Sequence, residues 1–228
     1  LLPQSYLRTD LVAVDLIVVV LVIITGRIVP LFTRNALGDE SVRPIPALST
    51  AAIVSVLAVA FVEVVAPGGF AMAMVAGLAG LLVAGRSVHW GFQKTLGKPI
   101  LWVLHLGHAW IWFGLFLKAA SAAGAAIQSS VSTHALTAGA IGTLTLGMMA
   151  RVTLGHTGRP LQVSPSLTFA FYAISVSAIF RVFGPWLRAD FTRPALISSA
   201  TLWSIAFAIY VIGNAKYLTT PRPDGKPG

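Results

Sequence analysis

Seven runs of mostly apolar residues, each close to the length of a membrane-crossing helix, constrain this chain more than any other feature. A hydrocarbon core about 30 Å thick takes about 20 residues at helical rise. Such runs occupy residues 11–29, 46–66, 69–90, 99–120, 132–153, 165–185 and 194–214. Proline opens four of them, at Pro46, Pro99, Pro165 and Pro194, where its missing N–H costs a helix least. Pro67-Gly68-Gly69 reads as a tight turn between the second and third. The runs are too long and too continuous for the alternating wall of a barrel. The expectation is an all-α, polytopic transmembrane helix bundle of about seven spans.

Composition agrees. Of 228 residues, 56% are hydrophobic and 10% are charged, against about 25% charged in soluble domains. A chain so poor in charge cannot cover itself with a water-compatible surface, so its main partner is the lipid bilayer. The formal charge of +9 raises nucleic acid as a partner, but the cations sit in short connections beside apolar runs, where membrane topology puts them. No nucleic-acid partner is expected. With no cysteine, disulfides, thiolate zinc, iron–sulfur clusters and covalent haem attachment are excluded. Any metal falls to His, Met, Tyr or carboxylate.

Seven spans place the two ends on opposite sides. The C-terminal side collects Arg27, Arg34, Arg43, Arg86, Lys94, Lys98, Arg151, Arg159, Lys216, Arg222 and Lys226, and the other side holds Arg8, Lys118, Arg181, Arg188 and Arg193. Eleven cations against five make the C-terminal side cytoplasmic. Residue 1 is then outside. The opening Leu1 shows neither the basic start nor the cleavage site of a signal peptide, so an upstream segment with an odd number of spans is expected. With no internal repeat and no long linker, residues 1–220 read as one transmembrane domain and 221–228 as a mobile tail.

Histidine is costly in a bilayer unless it faces the protein interior. His89, His105, His108 and His156 all lie towards the cytoplasmic side, and His134 opens the fifth span from the other. His134 and His156 stand roughly 33 Å apart along one helix and cannot share one small site. His105 and His108 share a helix face, and neutral imidazole is the commonest metal ligand. A non-covalent haem set edge-on to the cytoplasmic side would take His105 as axial ligand, with Arg27, Arg151 or Arg159 at its propionates. His108, His89 and Met148 are further candidate metal ligands. Against this, an intramembrane histidine often only bonds a neighbouring helix, and His89 beside Trp90 reads as an interfacial anchor. His156 can be a ligand, an anion contact or a cap. His134 can be a cap, or part of a second site with Asp15 and Arg181.

Asp15 and Arg181 lie at similar depth from the outer side and are expected to pair, while Glu63 is expected to reach water. Met148-Met149 and Met72-Ala73-Met74 suit copper(I), although methionine is also ordinary core filler. Ala135, Gly139 and Thr143 form a small-residue stripe, with Gly142 and Gly147 beside it. The stripe permits close helix packing or makes room for a flat cofactor.

The stretch from His134 through Gly139, Gly142, Gly147, Met148 and Arg151 to Gly155-His156-Thr157-Gly158-Arg159-Pro160 resembles the signature of the NnrS family. Gly26-Arg27-Ile28-Val29-Pro30-Leu31-Phe32-Thr33-Arg34-Asn35, read as the first cytoplasmic loop, and Leu104-His105-Leu106-Gly107-His108-Ala109-Trp110 are similar to two further family stretches. At the position of His108 the family more often has Tyr. The resemblance implies a bacterial inner-membrane protein of about twelve spans that is associated with haem and copper and with the response to nitric oxide. This chain would be its last seven spans, the N-terminal half would be a partner missing here, and a bis-histidine haem would take one ligand from each half. His134 and His156 join the cofactor-binding candidates through that signature. Two other functions stay open on the residues alone: a transporter of a small solute or metal, and a non-catalytic membrane scaffold.

Overall fold

The computed structural model describes residues 4–188 and 190–225, with side chains from Thr9 onward. Of the cations weighed for orientation, the Arg8 side chain and Lys226 lie outside the described residues, as do tail positions 226–228. Eight α-helices follow one another: α1 Gln4–Leu37, α2 Pro46–Val65, α3 Gly69–Gly85, α4 Pro99–Ala122, α5 Ser129–His134, α6 Gly142–His156, α7 Pro165–Leu187 and α8 Thr192–Thr219. A π-helical stretch, Ala135–Ile141, joins α5 to α6, so residues 129–156 form one continuous span. Among the described residues six spans are long and apolar enough to cross a membrane, and α3, with 17 residues, is a shorter apolar helix. No strand occurs among the described residues. The seven-run expectation stands, and the molecule is a multi-pass membrane protein.

The prolines act where the sequence put them. Pro46, Pro99 and Pro165 each open a helix, and Ser164 caps α7 by accepting the Leu167 N–H at 3.2 Å. Two boundaries differ from expectation. The 26–35 motif is not a loop but the C-terminal third of α1, which runs through Pro30 and stops at Gly38, where φ is +62°. Proline is tolerated inside a bilayer helix because neighbouring groups satisfy the freed carbonyl, and glycine supplies the left-handed stop. The third run ends at Gly85 instead of residue 90. Residues 86–98 fold as a compact connection with a 3-10 turn, Phe92–Thr95.

Helix α4 is the axis of the bundle. Of its apolar window, 72% is buried, against 22% for α8, and it packs on α1, α3, the whole of the 129–156 span and α7. Glycines on both partners allow that approach. A Cβ on Gly107 would lie 2.6 Å from Leu144 Cγ, and one on Gly114 2.7 Å from Leu136 Cδ2. On the opposite helix a Cβ at Gly139 would meet Trp110 at 2.6 Å, and one at Gly147 would meet Leu104 at 2.9 Å. The small-residue stripe is therefore a seat for α4 side chains; Trp110 fills the space that a flat cofactor would need.

The expected Asp15–Arg181 pair does not form. Lys118, near the outer end of α4, reaches both Asp15 oxygens at 2.8 and 2.6 Å and Glu63 at 2.9 Å. Arg181 is carried by α7, whose main neighbours are α8, α4 and the 129–156 span and not α1. Nor does Glu63 face water: it is buried. Two acids and one lysine thus tie α1, α2 and α4 together beside a cavity of about 200 Å³, an arrangement in which removing any one partner leaves an uncompensated buried charge.

Candidate functional site

At the end of the bundle that carries the C-terminus, α1, α3 and α4 enclose a buried polar cluster. Thr25 and Thr33 lie two helical turns apart on one face of α1, and His105 and His108 face them from α4. The Thr33 hydroxyl is 2.9 Å from His105 Nε2. His108 Nδ1 is 3.2 Å from the Thr25 hydroxyl, and His108 Nε2 is 3.1 Å from the Val83 carbonyl. A carbonyl only accepts, so Nε2 of His108 carries the donated proton, and in the neutral ring Nδ1 is then the acceptor. The Thr25 hydroxyl has one proton, shared between that nitrogen and the Leu21 carbonyl at 2.7 Å.

The residue that organises this cluster is Arg86. It follows α3 directly and turns inward, and no part of it reaches solvent. Its Nη2 donates to the Val22 carbonyl at 2.7 Å and to Thr25 Oγ1 at 3.1 Å, while Nε and Nη1 have no hydrogen-bond partner among the described residues. Its guanidinium lies 5.4 Å from the Trp90 ring, and Trp90 packs on His108 with centroids 4.5 Å apart. No carboxylate pairs with it among the described residues. A fully buried, unpaired guanidinium is expensive, and here it is held between a carbonyl, a hydroxyl and an aromatic face. Sequence reading counted Arg86 as an interfacial cation. The only signal of its inward turn is Gly26 at matching depth on α1, whose missing side chain leaves room for the guanidinium.

The histidines of this cluster are not equivalent. Both ring nitrogens of His108 are engaged, leaving none for a metal in this arrangement. His105 has one nitrogen without a hydrogen-bond partner among the described residues, and its ring borders a cavity of about 200 Å³ together with Ser87, Phe92 and Trp112. The other candidates lie apart. His89 is exposed, and His156, also exposed, ends α6 with its carbonyl accepting from Arg222 at 2.8 Å. His134 is half-buried at the outer end, within electrostatic reach of Arg181. Met148 and Met149 pack on the apolar core from α6, as Met72 does from α3, whereas Met74 is exposed.

The arginines also separate. Arg27 is exposed. Arg159 is committed to α8, lying 4.4 Å from the Tyr217 ring and donating to Thr220 Oγ1 at 2.9 Å. Arg151 lies 3.7 Å from the Phe32 ring and borders a cavity of about 530 Å³. In the connection below the cluster, Asp39 accepts from Lys94 and from the Ser41 amide and hydroxyl. Those hydrogen bonds, Lys94 first, pull its carboxyl down to about 2. Among the described residues no three His, Asp or Glu side chains meet as a metal site.

No curated protein and no solved structure gives a significant match to the chain. The family model described as NnrS protein does, over residues 3–222. That match takes in the α1 motif with Thr25 and Thr33, the two-histidine face of α4 and the glycine-rich 129–156 span, so the chain belongs to the NnrS protein family.

Proposed function

We propose that this chain is part of a haem-associated protein of the bacterial inner membrane, with its C-terminus in the cytoplasm, that acts in the response to nitric oxide. The single observation that supports it is His105, a buried imidazole with one ring nitrogen oriented by Thr33 and the other without a partner. A hydrogen bond to one ring nitrogen is what orients a histidine that ligates through the other. The fit is partial. A cavity of about 200 Å³ is below the roughly 300 Å³ at which small-molecule sites begin, so the chain offers one axial nitrogen and no enclosing pocket. The remaining wall and a second ligand would come from outside the described residues. Haem, held through His105, would supply an iron at which a nitrogen oxide could bind. In this reading Thr33 fixes the His105 ring, while Arg86, Thr25 and Trp90 lock His108 and keep α1, α3 and α4 in register. Copper has weaker support, because the methionines do not converge and the copper reading rests on the family likeness alone.

The test is an absorption spectrum of the intact protein, read with metal analysis. The Soret band is expected to be lost or shifted in His105→Ala and kept in His89→Ala. A band unchanged in His105→Ala removes His105 as ligand. A second reading, transport of a small solute or metal, draws on the buried Asp15–Lys118–Glu63 cluster beside its outer cavity. Flux through reconstituted, metal-free protein would favour it.

A further inference from the structure

The end of the bundle that carries the C-terminus holds a second constellation that the histidine cluster does not use. A cavity of about 530 Å³ opens between the first turn of α4, the inner end of α6 and the connection that follows it, with Lys98, Pro99, Arg151, Leu161, Gln162 and Val163 in its wall. Two cations border it and no carboxylate does. Arg151 presents five N–H donors, and none has an acceptor among the described residues; one face of the guanidinium is covered by Phe32 and Nη1 is buried without a partner. Lys98 spends one of its three donors on the Ala36 carbonyl at 2.5 Å.

Five other cations of the chain have partners among the described residues. Lys118 meets two carboxylates, Lys94 meets Asp39, Arg188 meets Asp190 and Arg222 meets Asp224. Arg159 is held by Tyr217 and Thr220. Among the described residues no carboxylate lines the wall between Lys98 and Arg151, and the positive end of the α4 dipole points the same way. The volume is within the range of small-molecule sites. The rest of the wall is mostly apolar, from Ala36, Ile100, Leu101 and Leu161. A guanidinium matches phosphate oxygens in bidentate geometry, and basic pockets between helices at the cytoplasmic face take lipid head groups.

We propose that this cavity is a phosphate-binding site, with Arg151 and Lys98 gripping the oxyanion and Gln162 at its edge. The phosphate belongs either to an anionic lipid head group or to a soluble phosphate compound. The site does not depend on the haem reading.

The test uses intact protein, delipidated in neutral detergent, with two probes. Native mass spectrometry follows retention of phosphatidylglycerol against phosphatidylcholine, whose choline would bring a cation against Lys98. Calorimetry follows inorganic phosphate. Arg151→Gln and Lys98→Gln are each expected to weaken binding of one probe about tenfold, as loss of a charge-assisted hydrogen bond implies. Arg151→Lys should keep part of the affinity, and Arg193→Gln at the opposite end should keep all of it. Selective loss of phosphatidylglycerol identifies a lipid source, and selective loss of inorganic phosphate identifies a soluble one. Binding of both probes unchanged in Arg151→Gln and Lys98→Gln overturns the proposal, as does equal retention of the two lipids without phosphate binding. Unchanged thermal unfolding shows that a loss is local; should Arg151→Gln not fold, Arg151→Lys and Lys98→Gln decide alone.

Discussion

Replacing Gly26 by alanine places a methyl carbon 2.6 Å from Nη1 of Arg86 and 3.2 Å from its Cζ. The far end of an arginine usually swings away from such a contact at little cost. Arg86 cannot, because it is fully buried, its Nη2 is tied to Val22 and Thr25, and Trp90 lies against it. Overpacking a closed site costs about 1–3 kcal/mol. Loss of one hydrogen bond to a charged group adds about 1.5–3 kcal/mol. Better helix propensity returns about 1 kcal/mol, for a net destabilisation of about 1.5–5 kcal/mol. Gly85→Ala is the control, since nothing lies within 4 Å of its new carbon; it should unfold at or above the wild-type midpoint. Equilibrium unfolding in mixed micelles measures both, and the double variant Gly26→Ala/Arg86→Met should recover the contact part of the loss. If Gly26→Ala unfolds within about 0.5 kcal/mol of wild type, the smallest effect that counts as a mechanism, Arg86 is not confined as described.

Lys118→Met leaves Asp15 and Glu63 buried without their cation, and should cost about 3–5 kcal/mol; Asp15→Asn/Glu63→Gln in the same background should restore most of the yield of folded protein. Gly107→Ala drives a carbon to 2.6 Å from Leu144 Cγ and 3.1 Å from its backbone nitrogen, which cannot give way. A lower unfolding midpoint by about 1–3 kcal/mol is expected, and an unchanged one would mean that α4 and α6 are not in close contact. Asp39 has its folded-state carboxyl pulled from 3.8 to about 2, so the tie between α1 and the 3-10 turn is complete above the unfolded value and fades as pH falls through about 2. Hydrogen exchange at the Ser41 amide follows it: protection should persist at pH 4 in wild type and be absent at that pH in Asp39→Asn.

How much of this was legible beforehand varies with the feature. The helix-opening prolines and the depth shared by His105 and His108 are readable along the chain. The 26–35 motif was misplaced into a loop because proline and glycine punctuate soluble sequences there, whereas a bilayer helix runs through Pro30. The Asp15–Arg181 pairing failed for a different reason. Depth along a helix is fixed by residue number, but which neighbour faces a residue depends on packing order, and Lys118 on α4 was closer. The π-helical stretch at Ala135–Ile141 left no mark in composition at all.

The number of apolar helices and their polarity were therefore settled by the residues alone, since the thickness of hydrocarbon acts on each segment independently of its neighbours. The inward turn of Arg86, the unequal roles of His105 and His108, the three-way ion cluster and the basic cavity at Arg151 were decided only when helices were set side by side. Each depends on the rotation of one helix about its axis relative to another, and that rotation follows from side-chain packing across the bundle, here from glycines that let α4 approach the 129–156 span.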